Sequence, residues 1–228
     1  MSISRKWMAS AAVIAMGLSA YSVPAWAQTK LDVAIIGEPD TLDPMLSTKD
    51  IVSIVTQHFV ETLYTFDGSW NVAPLLAADL PEISDDGRTY TIALREGITF
   101  HDGSDMTSAD VVASLERWLE MASRGKGVAD RIDAIEAVDD YTVEIRMNEA
   151  YSPLLSLLAF SNSAAAVYPE EVLGESLTDI VGTGPYRIIE HVPDQYLQLG
   201  RFEDYQSRDE EPDGPAGGRL QLAEEIRF

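Results

Sequence analysis

Polar and apolar positions between residues 84 and 121 change period once, and the change predicts two kinds of element in succession. Asp85-Asp86-Gly87 is a turn signal, after which Tyr90, Ile92 and Leu94 alternate with Thr91 and Ala93. Arg95-Glu96-Gly97 breaks the run and residues 98–100 supply a second short strand, so the pattern predicts a hairpin. Thr107 then stands as an N-cap with Asp110 three positions on, a variant of the capping box. Val111, Val112, Leu115, Trp118 and Leu119 recur at helical spacing behind it, which predicts a helix reaching Met121.

The same reading extends along the chain. Residues 31–36 are a short apolar run ended by Gly37 and Pro39, and read as a buried strand. Ile51, Val52, Ile54, Val55, Phe59, Val60 and Leu63 form one broad helical face between Asp50 and Tyr64, with Asp50 placed as the cap. Residues 131–138 and 141–147 are strands across a turn at Asp139-Asp140, and the run LLSLLAF after Tyr151 is a helix with one face in the core. Arg124-Gly125-Lys126-Gly127, which combines glycines with like charges, reads as a flexible loop. Residues 184–190 and 195–201 pair across Pro193-Asp194, residues 207–219 are an acidic exposed loop, and residues 224–228 form a strand. No internal repeat is present.

Composition and the leader narrow the class. Arg5 and Lys6 precede an apolar run and Ala25-Trp26-Ala27, the signature of a cleaved secretory signal peptide over residues 1–27. Tyr21, Ser22 and Pro24 interrupt the run before it reaches the roughly 20 apolar residues of a spanning helix. The chain has no cysteine, so disulfides, thiol catalysis and a lipid anchor on cysteine are excluded, and the expected compartment is the periplasm. Sixteen basic residues stand against 38 acidic ones, a net charge of −22, which becomes −24 without Arg5 and Lys6. Such a surface is a poor partner for nucleic acid or anionic membranes.

Three phrases, Leu42-Asp43-Pro44, the stretch 84–112 and Gly182-Thr183-Gly184-Pro185-Tyr186-Arg187, stand in the order found in the family 5 extracellular solute-binding proteins of bacterial ABC importers, and the chain resembles that family from about residue 31 to 228. The family includes dipeptide- and oligopeptide-binding proteins. The resemblance implies a mixed α/β (α+β) chain: the first lobe of a periplasmic binding protein of type II, with a small α+β subdomain inserted and the second lobe missing. Residues 28–66 and 175–228 would form the discontinuous main lobe and 67–174 the inserted subdomain. It further implies a peptide or other small organic ligand, an ABC permease in the inner membrane as partner, a monomer when full length, and no cofactor.

In the peptide-binding relatives the loop after Leu-Asp-Pro lines the interlobe cleft. The resemblance therefore points to Thr48 and Asp50, with Ser47 and Lys49 beside them, as ligand-binding residues. Ser161 and Asn162, polar residues where a predicted helix meets a loop, are added as weaker candidates. The aspartate that takes a peptide's ammonium group in the family belongs to the second lobe, so peptide specificity does not carry over.

The alternative is a secreted hydrolase or metal-dependent enzyme. His58, His101 and His191 are the three histidines, and the sequence holds no HExxH, no GxSxG and no histidine pair at helical ligand spacing. Asp85-Asp86, Asp139-Asp140 and residues 209–213 lack EF-hand spacing. The Gly182-Thr183-Gly184 turn lacks the lysine and serine of a P-loop, and Pro185 withholds one backbone N–H. A chaperone-like or adhesive role, also found in the wider family, leaves no mark in the sequence by which to judge it.

Overall fold

A computed structural model of the chain describes residues 29–177 and 179–228. The expected leader lies outside them. In chain order the elements are β1 (Lys30–Asp32), α1 (Asp50–Thr56), β2 (Tyr64–Phe66), β3 (Val72–Pro74), β4 (Glu82–Ile83), β5 (Thr89–Ala93) and α2 (Ser108–Met121). They continue with α3 (Ser123–Lys126), β6 (Ile132–Asp139), β7 (Thr142–Met147), α4 (Leu154–Ala159), β8 (Tyr186–Val192), β9 (Tyr196–Arg201) and β10 (Glu225–Arg227).

Two four-stranded sheets and one short hairpin result. The first sheet has the order β1-β10-β9-β8 and draws its strands from both ends of the described chain. Its edge strand β1 lies parallel to β10, with Leu31 opposite Ile226, while β9 pairs antiparallel with both neighbours. The second sheet, β4-β5-β7-β6, comes wholly from the middle of the chain and is antiparallel throughout. The hairpin β2–β3 carries α4, and α2 packs on β6 and β7. Trp118, Tyr64, Tyr168, Phe59 and Phe100 are all fully buried in one apolar cluster that touches both sheets.

The helix after Thr107 runs to Met121 as its pattern predicts. The Asp110 carboxylate accepts hydrogen bonds from the Thr107 N–H at 2.8 Å and the Thr107 hydroxyl at 2.9 Å. The β6–β7 and β8–β9 hairpins, the short helix α4 and the strand β10 also stand where the sequence places them.

Several elements differ from expectation, each for a local reason. The first strand is short and lies at a sheet edge, not in the core: Leu31 is 51% exposed and Ile36 fully so. The hairpin around residues 90–100 is not formed, because β5 takes β4 across the Asp85-Asp86-Gly87 turn and β7 on its other side. Residues 98–106 instead fold on themselves: Phe100 N–H donates to the Ser104 carbonyl and Met106 N–H to that of Ile98, both at 2.8 Å, while Ile98 and Phe100 enter the core. The first helix stops at Thr56, short of residue 64. The segment beyond finds extended partners, with Thr62 bridged to Ala166 and the Glu61 carbonyl accepting from Val167 N–H at 2.9 Å. Asp50 is the first residue of this helix and not its cap, which is Lys49.

Residues 124–127 are a helical turn and not a loose loop. A Cβ on Gly125 would lie 1.9 Å from the Trp118 carbonyl oxygen, so the glycine permits a close approach. The acidic loop 207–219 is exposed at its carboxylates yet fastened beneath. Arg208 donates to the carbonyls of Leu75, Ala77 and Ala78 at 3.2, 2.9 and 3.1 Å.

Two buried constellations fix the elements relative to one another. Arg117 of α2 reaches the Asp43 carboxylate at 2.6 Å, with side chains only 7% and 5% exposed, and also donates to the Gly174 carbonyl at 2.7 Å. The other centres on the Gly182-Thr183-Gly184 turn, which lies on the backbone of Phe59: a Cβ on Gly184 would be 2.7 Å from both Phe59 Cα and its carbonyl carbon. Beside it Glu61, 1% exposed at its side chain, accepts from Thr183 at 3.0 Å, Tyr205 at 2.9 Å and Arg219 at 3.1 Å.

His101 clasps the same turn. Its Nδ1 accepts from Gly182 N–H at 3.3 Å, and Nε2 then donates to the Gly184 carbonyl at 2.9 Å, the arrangement of a neutral ring. Burial lowers the pKa of His101, and likewise that of His58, whose Nδ1 lies 3.2 Å from the Val55 carbonyl.

Three measurements test this account. Arg117→Ala strands a buried carboxylate and should lower unfolding free energy by about 3–5 kcal/mol in chemical denaturation. Gly184→Ala forces backbone apart and should cost about 1–3 kcal/mol by the same assay. The histidines give a pH signature. Because their folded pKa values lie below the ordinary 6.5, the unfolded chain binds more protons. Stability should be complete above 6.5 and fall as pH drops through it, before the carboxylates titrate. Thermal midpoints across that interval should decline in the wild type and decline less in His101→Gln.

Candidate functional site

The loop after Leu42-Asp43-Pro44 is built from its turn outward. Asp43 Oδ1 accepts from Met45 N–H at 3.0 Å and so opens a short 3-10 turn, Pro44–Leu46, while Oδ2 is held by Arg117. Ser47 and Lys49 are extended, with φ/ψ of −138/144 and −77/132. The loop after α4 zips onto this segment: Ser163 N–H donates to the Ser47 carbonyl at 2.8 Å and Ala164 N–H to that of Pro44 at 3.2 Å. Ser163 is fully buried at φ 49, and its carbonyl accepts from Trp118 Nε1 at 2.9 Å. That anchor turns the neighbouring Asn162 outward.

The two groups of residues singled out in the sequence thus meet. Asn162 Nδ2 donates to the Thr48 carbonyl at 3.3 Å and to Asp50 Oδ1 at 3.4 Å, and Thr48 and Asp50 are exposed. Ser47 is buried and serves the loop itself, its hydroxyl accepting from Lys49 N–H at 3.2 Å and donating to Asp40 at 3.4 Å. Lys49 pairs with Asp40 at 2.7 Å, and this hydrogen bond is the main reason that the Asp40 carboxyl lies below its usual range. Ser161, which is exposed, lines a separate niche of about 30 Å³ together with Glu61 and Arg219.

Arg124 is the member of this site that spacing missed. Its Nη2 donates to Asn162 Oδ1 at 2.8 Å, its Nε to the Asn162 carbonyl at 3.1 Å, and its guanidinium lies 3.8 Å from the centroid of Phe160. Phe160 meets Phe66 edge to face at 5.2 Å, and Phe66 meets Trp70 at 5.7 Å. The one sequence signal was the placement of Gly125 seven positions after Trp118, which holds Arg124 in a helical turn instead of a loop.

A larger cavity of about 420 Å³ lies on the first sheet, between residues 33–42 and the β8–β9 turn. Glu38 spans its mouth, accepting from Asp194 N–H at 2.9 Å and meeting His191 Nε2 at 3.0 Å; these bonds, Asp194's first, hold the Glu38 carboxyl below its usual range. Among the described residues no helix is long and apolar enough to cross a membrane.

Known proteins are similar to this chain in sequence and in fold. Glutathione-binding protein GsiB of Pectobacterium atrosepticum is 32% identical over 90% of this chain and 40% of its own length. A probable peptide ABC transporter periplasmic-binding protein, y4tO of Sinorhizobium fredii, is 30% identical over 99% of this chain and 44% of its own. Among solved structures, AgaA from A.tumefacien R10, in complex with agropinic acid, superposes with a TM-score of 0.75 at 26% identity, covering 87% of this chain and 39% of that one. DppA from Helicobacter pylori, in complex with the peptide STSA, gives 0.74 at 25% identity, over 87% of this chain and 42% of that one. The chain therefore spans roughly two fifths of the relatives that it matches. Residues 71–227 match the model of bacterial extracellular solute-binding proteins, family 5 middle. With its mixed α/β fold superposing on solved structures of such binding proteins, the chain belongs to the family 5 bacterial extracellular solute-binding proteins.

Proposed function

We propose that this chain supplies one wall of the ligand cleft of a periplasmic receptor that delivers peptides or other small organic solutes to an ABC permease. In this reading residues 67–174 are a subdomain inserted into a main lobe formed by 28–66 and 175–228. The observation that carries it is the meeting of Thr48, Asp50 and Asn162 on one exposed face, drawn from two loops 112 residues or more apart in sequence. Carbonyl, carboxylate, hydroxyl and amide together suit a ligand rich in backbone-like donors and acceptors. Support for the solute class comes from the relatives, named for glutathione and for peptides.

Binding in such a receptor is mechanical. Two walls close on the ligand, and the closed form is what a permease distinguishes from the open one. The wall formed by Thr48, Asp50 and Asn162 gives only part of the contacts of a closed cleft, so affinity measured on this chain should be weak.

Calorimetry and heteronuclear NMR of the chain against glutathione, short peptides, opines and sugars test the proposal. Binding should be weaker than micromolar and should move the Thr48, Asp50 and Asn162 signals; submicromolar binding would overturn the single-wall reading. Asn162→Ala should weaken the best solute about 3- to 10-fold, the loss of one net hydrogen bond, and should also lower the thermal midpoint through its lost bonds to Thr48, Asp50 and Arg124. Undiminished affinity in that variant would remove these loops from the site.

A further inference from the structure

The Asn162 wall does not end at Asn162. A continuous stack leads from it across the surface: Asn162 to Arg124, Arg124 onto the face of Phe160, Phe160 to Phe66 at 5.2 Å, and Phe66 to Trp70 at 5.7 Å. Trp70 is 77% exposed, unusual for so large an apolar side chain when Phe66 and Phe160 beneath it are half-buried. It also sits at φ 65, a left-handed backbone that a bulky residue adopts only under constraint.

Asp67 supplies the constraint. Its carboxylate accepts from Ser69 N–H and Asn71 N–H, both at 2.8 Å, and from the Asn71 amide at 2.9 Å, while its carbonyl accepts from Trp70 N–H at 3.1 Å. Gly68 N–H is fastened in turn to Asp213 at 3.1 Å. The turn spends these bonds on holding an indole out of the core, at the end of an aromatic row whose other end is the ligand wall. Placed in that way, the ring loses little freedom when a second apolar group packs on it.

We infer that Trp70 is a specificity-determining residue of the same cleft, and that its indole, backed by Phe66, takes an aromatic or large aliphatic side chain of a peptide ligand whose backbone lies on Thr48, Asp50 and Asn162. The inference rests on the ligand-wall reading above. Phe160, Phe66 and Trp70 offer ring surface in succession, which suits an apolar group, while the Asp67 carboxylate beside them is engaged by Ser69 and Asn71; the polar part of the ligand belongs at the Asn162 end.

Two tetrapeptides separate the claims, Ala-Ala-Phe-Ala and tetra-alanine, titrated at millimolar concentration into the chain while backbone and indole N–H signals are followed by NMR. Trp70→Phe assigns the Trp70 indole signal. Both peptides should move the Asn162 and Thr48 signals, but the phenylalanine peptide alone should move the Trp70 indole strongly. Trp70→Ala should weaken the phenylalanine peptide roughly 3- to 10-fold and leave tetra-alanine unchanged, and Trp70→Phe should restore most of the loss. If both peptides bind and Trp70→Ala weakens neither, or weakens both equally, the inference fails and the wall stands. An indole signal that moves on dilution of the chain alone would assign Trp70 to self-association and overturn it too. If neither peptide moves Asn162 or Thr48, the wall itself is misplaced and the inference falls with it.

Discussion

The molecule depends on two pieces of backbone lying closer than side chains allow. Gly182 and Gly184 rest on Phe59 so tightly that a methyl group at either would overlap main-chain atoms. This seam joins the end of the first helix to the point where the chain returns to the first sheet. Glu61 lies directly beside it and gathers Thr183, Tyr205 and Arg219 around one buried carboxylate. His101 adds the second sheet's neighbourhood to the same turn. Breaking a buried charge of this kind is far costlier than its net contribution would suggest, because the groups left behind have no water to turn to.

The proposed ligand wall inherits its geometry from such interior bonds. Asp43 forms the turn before Thr48, but Arg117 of α2 fixes Asp43; Trp118, the next residue, fixes Ser163 and so presents Asn162. One helix thus positions both loops of the site from behind. The charge of −22 plays no part in that arrangement: the carboxylates that organise the fold are few and buried, while most others sit in solvent-exposed turns.

Much of this was legible in residue order. Short strand-like runs on either side of a turn gave the β6–β7 and β8–β9 hairpins, the Thr107–Asp110 spacing gave α2, and glycine–proline punctuation gave the return turn, because each is a local rule obeyed locally. The readings that failed needed distant partners. Nothing near Tyr90 says that β5 will choose β7 in place of residues 98–100, since that choice is made by a strand some 50 positions later. Nothing in the run 51–63 says that it must stop being helical at Thr56, since Gly184 and Ala166 decide it. Gly125 read as freedom when it is a point of contact. In the candidate site, the phrase after Leu-Asp-Pro pointed to Thr48 and Asp50, while the placement of Arg124 and Phe160 was hidden, as contacts between residues 36 and 94 positions apart leave no periodic trace.

The fastening of the acidic loop has a consequence for how the protein meets its surroundings. Arg208 grips three main-chain carbonyls, and Arg95 answers from the other side by donating to the carbonyls of Gln206 and Ser207. Dipoles of peptide groups, unlike carboxylates, neither titrate nor recruit counterions. Ionic strength can therefore screen the surface pair of Arg208 with Glu210 while the carbonyl contacts hold, and the exposed carboxylates of Asp209 and Glu211 are left to exchange one counterion for another.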